Sequence, residues 1–278
     1  MRIALAYFGL PRNSSVCFPS IEKNIYRRLP SGAQVESFYH FYEPLLINNP
    51  RSRELGVLGE ENYRAFNDML GILEVTGECL ERWDFERIKS YGDVWGDEFK
   101  SLSNLVHQLN SLHAVTSRVD DYEPDVVIFL RPDLLYHDAL PDFVLPAVLA
   151  RPNAIYIPHW QWWNGLNDRF AICGRAVYGA YGRRIEQVLP FCKVLGRGLH
   201  SERLLRFAMT QAGAKIRTLE MRASRVRVGG EIVEESFSSK RSMGRRENRL
   251  ALPLARMRAC IDHFHYGWSS ALRRSMHE

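Results

Sequence analysis

The chain has 278 residues, of which 46% are hydrophobic and 25% are charged, and its formal net charge is +5 at pH 7. This composition is typical of a globular protein that buries a sizeable core, and it excludes global disorder. Because no run of about 18 apolar residues occurs, the sequence predicts no membrane-spanning helix.

The cysteines indicate reducing surroundings. Five of them lie far apart, and no Cys-x-x-Cys pair suggests a zinc site. The apolar stretch after Met1-Arg2 is short for a signal peptide and lacks a small-residue cleavage site. We therefore interpret this stretch as a first strand and expect a cytoplasmic protein.

The first hundred residues predict the opening of an α/β nucleotide-binding unit. A compact apolar run over residues 2–8 predicts a buried parallel strand that ends at Gly9-Leu10-Pro11. Pro19 suits the first turn of a helix that continues to about Arg28. A second strand is predicted over residues 34–41, and residues 60–118 are expected to be mostly helical.

One predicted helix has an unusual polar face. Residues 101–117 contain no charged side chain, yet Asn104, His107, Gln108 and Ser111 share one side of the helix, while leucines occupy the other. Neutral hydrogen-bonding groups favour a cleft or a protein neighbour over open solvent. Asn104 and Gln108 are therefore candidates to contact a sugar or a nucleotide, and a buried polar network is the alternative.

The strongest strand pattern covers residues 126–130 and ends at Arg131-Pro132-Asp133. In open α/β sheets, ligands bind just beyond the carboxyl ends of the strands. Arg131 could pair with a phosphate, and Asp133 could bind a divalent cation that bridges a diphosphate. The alternative is an internal ion pair between the two side chains. Asp120-Asp121 precedes the strand, and we interpret it as a solvated turn.

A strand predicted over residues 154–158 leads into an aromatic loop, residues 159–168. Tryptophan faces stack on pyranose rings, and carboxylates accept paired sugar hydroxyls, so the composition of this loop suits carbohydrate. Asp168 is the candidate catalytic base or sugar-orienting group. The alternative is that the three tryptophans are core anchors.

The remaining elements are a short strand over residues 170–173, helices over 175–189 and 201–211, and two strands within 215–233 that turn at Gly229-Gly230. Glu202, at the start of the second helix, is either a catalytic base or a stabiliser of the helix N-terminus. Residues 1–233 are expected to form one α/β domain.

Residues 234–278 are predicted to be a basic, partly helical extension, because three pairs of basic residues fall there, Lys240-Arg241, Arg245-Arg246 and Arg273-Arg274. This charge favours an anionic partner, for example acidic lipid at the inner face of a membrane. A solvated tail is the alternative.

Three segments together resemble a known family. They are residues 9–12 after the first strand, 127–134 in mid-chain and 165–172. This ordered series resembles the nucleotide-sugar-dependent glycosyltransferases of the A-type fold in bacterial and large-virus polysaccharide loci. The resemblance implies an α/β fold with a Rossmann-like mixed sheet flanked by helices. It also implies hexosyl transfer from a nucleotide sugar to a glycan or lipid-linked acceptor, with no nucleic-acid partner.

Residue chemistry and the resemblance together give candidate roles. Asp168 and Glu202 are the catalytic candidates. The donor-binding candidates are Gly9, Pro11, Arg12, Asn104, Gln108, Arg131 and Asp133. The acceptor-binding candidates are His159, Trp160, Trp163 and Asn167. The family's metal motif has two acids flanking one residue, whereas this sequence has only Asp133, so a Mn²⁺ or Mg²⁺ ion at Asp133 stays an open alternative.

Two other functions are compatible with the sequence. Residues 9–15 resemble the phosphate loop of sulfotransferases, in which a helix N-terminus binds phosphate. Against that interpretation, a helix that began at Ser14 would place Pro19 in its interior, where proline costs about 3 kcal/mol. A non-catalytic carbohydrate-binding protein that uses the tryptophan loop is the second alternative.

Overall fold

The computed structural model describes residues 1–43, 46–49 and 54–238. The strands are β1 (Arg2–Gly9), β2 (Gln34–Tyr42), β3 (Leu46–Asn49), β4 (Glu54–Val57), β5 (Leu70–Glu74), β6 (Val126–Leu130), β7 (Leu134–Tyr136), β8 (Ala154–Pro158), β9 (Ala171–Gly174), β10 (Lys215–Leu219) and β11 (Ala223–Arg225).

The helices flank the sheet, and short 3₁₀ turns lie in several of the connections between elements. They are α1 (Ser14–Asn24), α2 (Glu78–Arg82), α3 (Phe85–Lys89), α4 (Lys100–Asp120), α5 (Val144–Leu149), α6 (Tyr178–Gly182), α7 (Val188–Leu195) and α8 (Ser201–Gln211). No helix in the described ranges is both long enough and apolar enough to cross a membrane.

A seven-stranded sheet organises the molecule, in the order β10-β8-β9-β6-β1-β2-β5. All neighbours are parallel except β9, which is antiparallel to both β6 and β8. The order departs from the doubly wound 3-2-1-4-5-6 pattern by the insertion of one antiparallel strand. The expected α/β fold, with a Rossmann-like mixed sheet flanked by helices, is confirmed.

Strand β1 lies at the centre because both of its faces are apolar. Ile3, Leu5 and Tyr7 pack into the core on one side of the sheet. Ala4, Ala6 and Phe8 pack on the other side, against α4, α6 and α8. Successive side chains of a strand point to opposite faces, so an uninterrupted apolar run produces a strand that is covered on both sides.

Helix α1 begins earlier than predicted. It starts at Ser14, so Pro19 lies in its interior and not in its first turn. Ser15, whose carbonyl loses its hydrogen bond to residue 19, and Pro19 itself are both exposed. Water can therefore solvate the unpaired carbonyl. The sequence-based objection to a helix starting at Ser14 was wrong.

One further prediction was incomplete and another was wrong. Residues 60–118 are mostly helical, as expected, but β5 lies among them as the edge strand of the main sheet. The two strands expected within 215–233 do not pair with each other. β10 joins β8 in the main sheet, whereas β11 pairs with β7, and only a single bridge, Val226 to Ile232, spans Gly229-Gly230.

The start of the predicted basic extension packs on the α/β domain. Glu235 pairs with Arg225, and the ring of Phe237 lies edge-to-face on Trp160 at 5.2 Å. The basic pairs that led us to expect a helical, membrane-facing tail lie outside the described residues. The described cysteines, Cys17, Cys79, Cys173 and Cys192, are buried free thiols.

One buried serine of α4 ties the helix to the ends of two central strands. Ser111 Oγ accepts a hydrogen bond from the Gly9 amide at 2.9 Å and donates to the His40 carbonyl at 2.6 Å. We expect Ser111→Ala to lower the free energy of unfolding by roughly 1–3 kcal/mol, because the buried Gly9 amide loses its acceptor. Urea unfolding measures the change.

Ser117→Ala is the matched control on the same helix. Its hydroxyl is exposed and bonds the His113 carbonyl at 3.2 Å, so the change is expected to stay within about 0.5 kcal/mol. Equal effects of the two substitutions would show that the buried bond at Gly9 does not stabilise the fold.

Candidate active site

A cavity of about 720 Å³ opens at the carboxyl ends of β1 and β6. These two strands are neighbours in the sheet, and chain order reverses between them, so this is the topological switch point where α/β proteins bind ligands. Its lining includes Gly9, Arg12, Trp95, Asn104, His107, Gln108, Arg131, Gln161, Trp163, Asp168, Arg169, His200, Ser201, Glu202, Arg225 and Arg227.

The Arg131–Asp133 segment forms an internal ion pair. The Arg131 guanidinium binds both carboxylate oxygens of Asp133, through Nε at 3.0 Å and Nη2 at 2.9 Å. Arg12 adds a third bond at 2.8 Å. Burial alone would raise the pKa of Asp133, but the two guanidinium groups outweigh it and hold that pKa well below its usual range.

Two more carboxylates neutralise arginines of the cavity. Glu54 lies 3.0 Å from Arg12 and 3.3 Å from Arg227. Glu235 binds Arg225 at 2.7 Å and accepts a bond from Gln161 at 2.6 Å. The side chains of both acids are almost completely buried. Neither acid lines the cavity, whereas all three arginines do.

Arg169 lies among like charges. Its guanidinium donates to the neutral Gln161 Oε1 at 3.2 Å. Burial, together with the nearby charges of Arg225 and Arg131, lowers the pKa of Arg169 to about 10, although Asp168 opposes that effect. The side chain is still charged at neutral pH, in a region of positive potential.

Asp168 is buried beside these arginines. Among the described residues, its Oδ2 accepts hydrogen bonds from Gln108, at 3.4 Å, and from Ser201. Burial alone would raise the pKa of Asp168. The positive charges of Arg169 and Arg184 and the hydrogen bond from Ser201 lower it by more, so the net shift of the pKa is downward. A carboxylate with a lowered pKa is a weak proton acceptor and a good hydrogen-bond acceptor.

The aromatic loop is held against the start of α8 by a close backbone approach. A Cβ on Gly165 would lie 2.0 Å from the carbonyl of Glu202, so only glycine fits there. Leu166 N donates to that same carbonyl at 2.8 Å, and Arg206 binds the Gly165 carbonyl. This contact sets the distance between Asp168 and Glu202.

The polar face of α4 points at the cavity, as expected. Asn104, His107 and Gln108 line it, and Gln108 accepts a bond from Arg131 at 3.0 Å. The leucines at 102, 105, 109 and 112 are buried. Ser111 does not face the cavity. It is fully buried and bonds other parts of the protein, so for this residue the alternative interpretation, a buried polar network, is the correct one.

A second carboxylate lies beside a histidine. Glu202 Oε2 is 3.2 Å from His200 Nδ1, and the imidazole stacks on Trp95 with an interplanar angle of 18°. All three residues line the cavity. Glu202 therefore reaches the cavity from the first turn of α8, and its role as a catalytic base stays a prediction.

Several predicted site residues do not line the cavity. Trp160 is fully buried, and its indole nitrogen bonds the Met221 carbonyl, so the expectation that it binds an acceptor is wrong. Asn167 is buried and bonds the Trp160 carbonyl. Both ring nitrogens of His159 face backbone carbonyls, those of Leu219 and Phe237. Pro11 is buried in the loop after β1.

Trp163 differs from its neighbours in the loop. It lines the cavity and is 60% exposed, which leaves its ring face available for stacking. Trp162 is half-buried and bonds the Pro158 carbonyl. The interpretation of the tryptophans as core anchors therefore holds for Trp160 and not for Trp163.

The donor set does not suit a metal at Asp133. Both of its oxygens are occupied by guanidinium groups, so a cation would have to displace them. In the part of the chain that the structure describes, no group of three or more His, Cys, Asp or Glu side chains could hold a metal ion. Asp120 and Asp121 do not line the cavity, and Asp120 pairs with Arg183 at the end of α4.

Three arginines of the cavity were not among the predicted site residues. Arg169 directly follows Asp168, and Arg225 and Arg227 lie two residues apart in an extended segment, which places them on the same side. That period-two spacing is the signal that could have found Arg225 and Arg227. Their proximity to Arg131 depends on the path of the chain after β10.

The N-terminus of α1 does not present an open phosphate loop. Asn13 N donates to Asn62 Oδ1 at 2.8 Å, and Ser14 Oγ donates to the Asn62 carbonyl at 2.5 Å. Asn13 Nδ2 bonds the carbonyls of Arg227 and Val228. Pro19 no longer argues against a sulfotransferase, because it lies inside α1. The contacts at the start of α1 disfavour that function instead, because they occupy the groups that would bind a phosphate.

Comparisons with known proteins add a fold-level similarity. Neither a protein-family model nor a curated protein matches the chain. Among solved structures, the apo form of mouse xyloside xylosyltransferase 1 is similar in fold at 13% identity and a TM-score of 0.45. The match covers 79% of this chain and 85% of that one.

The Asp133 ion pairs give a pH-dependent prediction. Asp133→Asn is expected to lower the free energy of unfolding by about 3–5 kcal/mol at pH 7, because Arg131 loses its paired carboxylate and Arg12 keeps only Glu54. Since the folded-state pKa lies below the unfolded value of about 3.9, the stabilisation is complete above that pH and is lost as pH falls below it. Urea unfolding at about pH 7, 5 and 2.5 measures both effects.

The control is Asp142→Asn, which removes a surface ion pair with Arg28 whose carboxylate is 80% exposed. We expect a change of at most about 1 kcal/mol. A wild-type advantage over Asp133→Asn that stayed constant down to about pH 2.5 would contradict the lowered pKa.

Proposed function

We propose that this protein is a glycosyltransferase that moves a hexose from a nucleotide-sugar donor to a hydroxyl group of a glycan or a lipid-linked acceptor. The observation that carries the proposal is the cavity at the switch point between β1 and β6. It combines five arginines with a set of amide, hydroxyl and carboxylate groups. The first set suits the phosphates of a donor, and the second suits sugar hydroxyls.

The sugar-facing groups are supplied by α4, the aromatic loop and α8. Asn104 and Gln108 offer amides, and Asp168 offers a carboxylate whose lowered pKa keeps it charged. Trp163 adds an exposed aromatic face suited to the C–H side of a pyranose. In this proposal, these groups hold the donor sugar at the end of β6.

Transfer breaks the bond between the anomeric carbon and a phosphate oxygen and forms a bond to the acceptor oxygen. The arginines stabilise the negative charge on the departing nucleoside diphosphate. The acceptor proton passes to Glu202, which His200 contacts at 3.2 Å. Asp168 orients sugar hydroxyls, because its lowered pKa makes it a weak base and keeps it charged. A single base suits direct displacement with inversion.

The first test is donor binding. A thermal-shift panel of UDP, GDP, CMP and TDP sugars, together with adenosine phosphosulfate, is expected to show stabilisation by at least one sugar nucleotide. Stabilisation by the phosphosulfate alone would favour a sulfotransferase. Binding of a glycan array without binding of any nucleotide would favour a carbohydrate-binding protein.

The second test separates the roles of the two carboxylates, with slow hydrolysis of the bound donor as the assay. Glu202→Gln is expected to lower kcat by roughly 100-fold with little change in KM. Asp168→Asn is expected mainly to raise KM. Glu186→Gln, in an exposed pair with His113, is the control and should leave both constants unchanged. A loss of kcat confined to Asp168→Asn would reverse the two roles.

A further inference from the structure

The charges around the cavity are arranged in two layers. Five arginines line it, at positions 12, 131, 169, 225 and 227. The three carboxylates that pair with four of them, Glu54, Asp133 and Glu235, are buried and do not line the cavity. The lining therefore carries five guanidinium groups against two carboxylates, those of Asp168 and Glu202.

Arg169 lines the cavity without a direct ion pair. Its guanidinium bonds the neutral Gln161 Oε1, and among the described residues no carboxylate oxygen lies within 4.0 Å of its nitrogens, although the charges of Asp168 and Glu235 are near enough to favour its charged form. Arg225, which also lines the cavity, meets Glu235 through Nε and not through its two terminal nitrogens. Arg227 uses Nη1 for Glu54 at 3.3 Å.

These side chains are also pre-positioned. Glu235 holds Arg225 and Gln161 together, and Gln161 in turn holds Arg169, so one buried carboxylate fixes two arginines. Little side-chain entropy is then lost when an anion binds. A planar guanidinium donates two parallel hydrogen bonds to phosphate oxygens, which favours a ligand with several phosphate oxygens.

We propose that Arg169 and Arg225, with Arg227 beside them, form a subsite that binds the diphosphate of the donor without a divalent cation. This inference rests on the proposed function, because the donor is what supplies a diphosphate. It moves the anion contact away from Arg131, whose guanidinium is committed to Asp133 and Gln108.

The same arrangement disfavours the metal that the family resemblance suggests. A cation in the cavity would be repelled by five guanidinium groups. Its best candidate ligand, Asp133, already accepts three guanidinium hydrogen bonds. Asp168 gives its Oδ2 to Gln108 and Ser201. Charge neutralisation of the leaving diphosphate therefore falls to the arginines.

Calorimetric titration of the full chain with inorganic pyrophosphate tests the subsite. We expect pyrophosphate to bind equally well in EDTA and in Mn²⁺, and more tightly than inorganic phosphate. Arg169→Gln breaks no ion pair among the described residues and is expected to weaken pyrophosphate binding roughly tenfold to a hundredfold. Arg169→Lys keeps the charge but loses the planar guanidinium, so its affinity for pyrophosphate should lie between those of the wild type and Arg169→Gln.

Arg217→Gln is the matched control, because Arg217 is exposed on β10 and bonds only its neighbouring carbonyl in the described structure. Its affinity should equal that of the wild type. Pyrophosphate binding that requires Mn²⁺, or unchanged binding by both Arg169 variants, would overturn the subsite. Circular dichroism checks that each variant is folded. If Arg169→Gln does not fold, Arg225→Lys provides a second variant of the subsite.

The two proposals fail in different ways. Cation-independent binding of pyrophosphate without binding of any nucleotide sugar would support the subsite and remove the proposed function. Binding of a nucleotide sugar only in the presence of Mn²⁺ would support the function and overturn the subsite.

Discussion

The ion-pair cluster of Arg131, Asp133 and Arg12 is the interaction on which the cavity depends. Arg131 and Asp133 follow β6, whereas Arg12 follows β1, so the cluster joins the carboxyl ends of the two strands at the switch point. Asp133 is buried, and leaving its charge without partners there would cost several kcal/mol. The loops that begin the cavity therefore cannot move independently of each other.

Burial of the carboxylates makes the arginines useful for binding. A guanidinium without a counter-charge is costly to desolvate, but one that pairs at its rear through Nε still presents its terminal nitrogens. Glu235 does this for Arg225. The acid comes from residues that the sequence assigns to a separate extension, so chain from beyond the expected domain boundary supports an arginine of the cavity lining from behind.

The sequence predicts the centre of this fold better than its edges. β1 and β6 are apolar on both faces, and a short apolar run that ends at turn residues is typical of a buried parallel strand. The edge strand β5 carries exposed apolar residues without a clear alternation, so nothing in its sequence separates it from a helix. The start of α1 was predicted too late because proline was assumed to be excluded from the helix interior. That exclusion is strongest where the carbonyl that loses its hydrogen bond is hidden from water, and Ser15, which carries this carbonyl, is exposed.

The site was predictable where one element supplies it and not where several elements meet. The polar stripe of α4 could be found from helical spacing, because its residues belong to one helix. Trp160 and Trp163 lie three residues apart with the same chemistry, and contacts from outside the loop decide which of them is buried. Trp160 bonds the Met221 carbonyl and packs on Phe237, whereas Trp163 is 60% exposed. Arg169 and Arg225 are 56 positions apart in sequence, and Glu235 and Gln161 bring them together. Residue composition suggests carbohydrate for the loop, but the contacts between segments determine which of its side chains a ligand can reach.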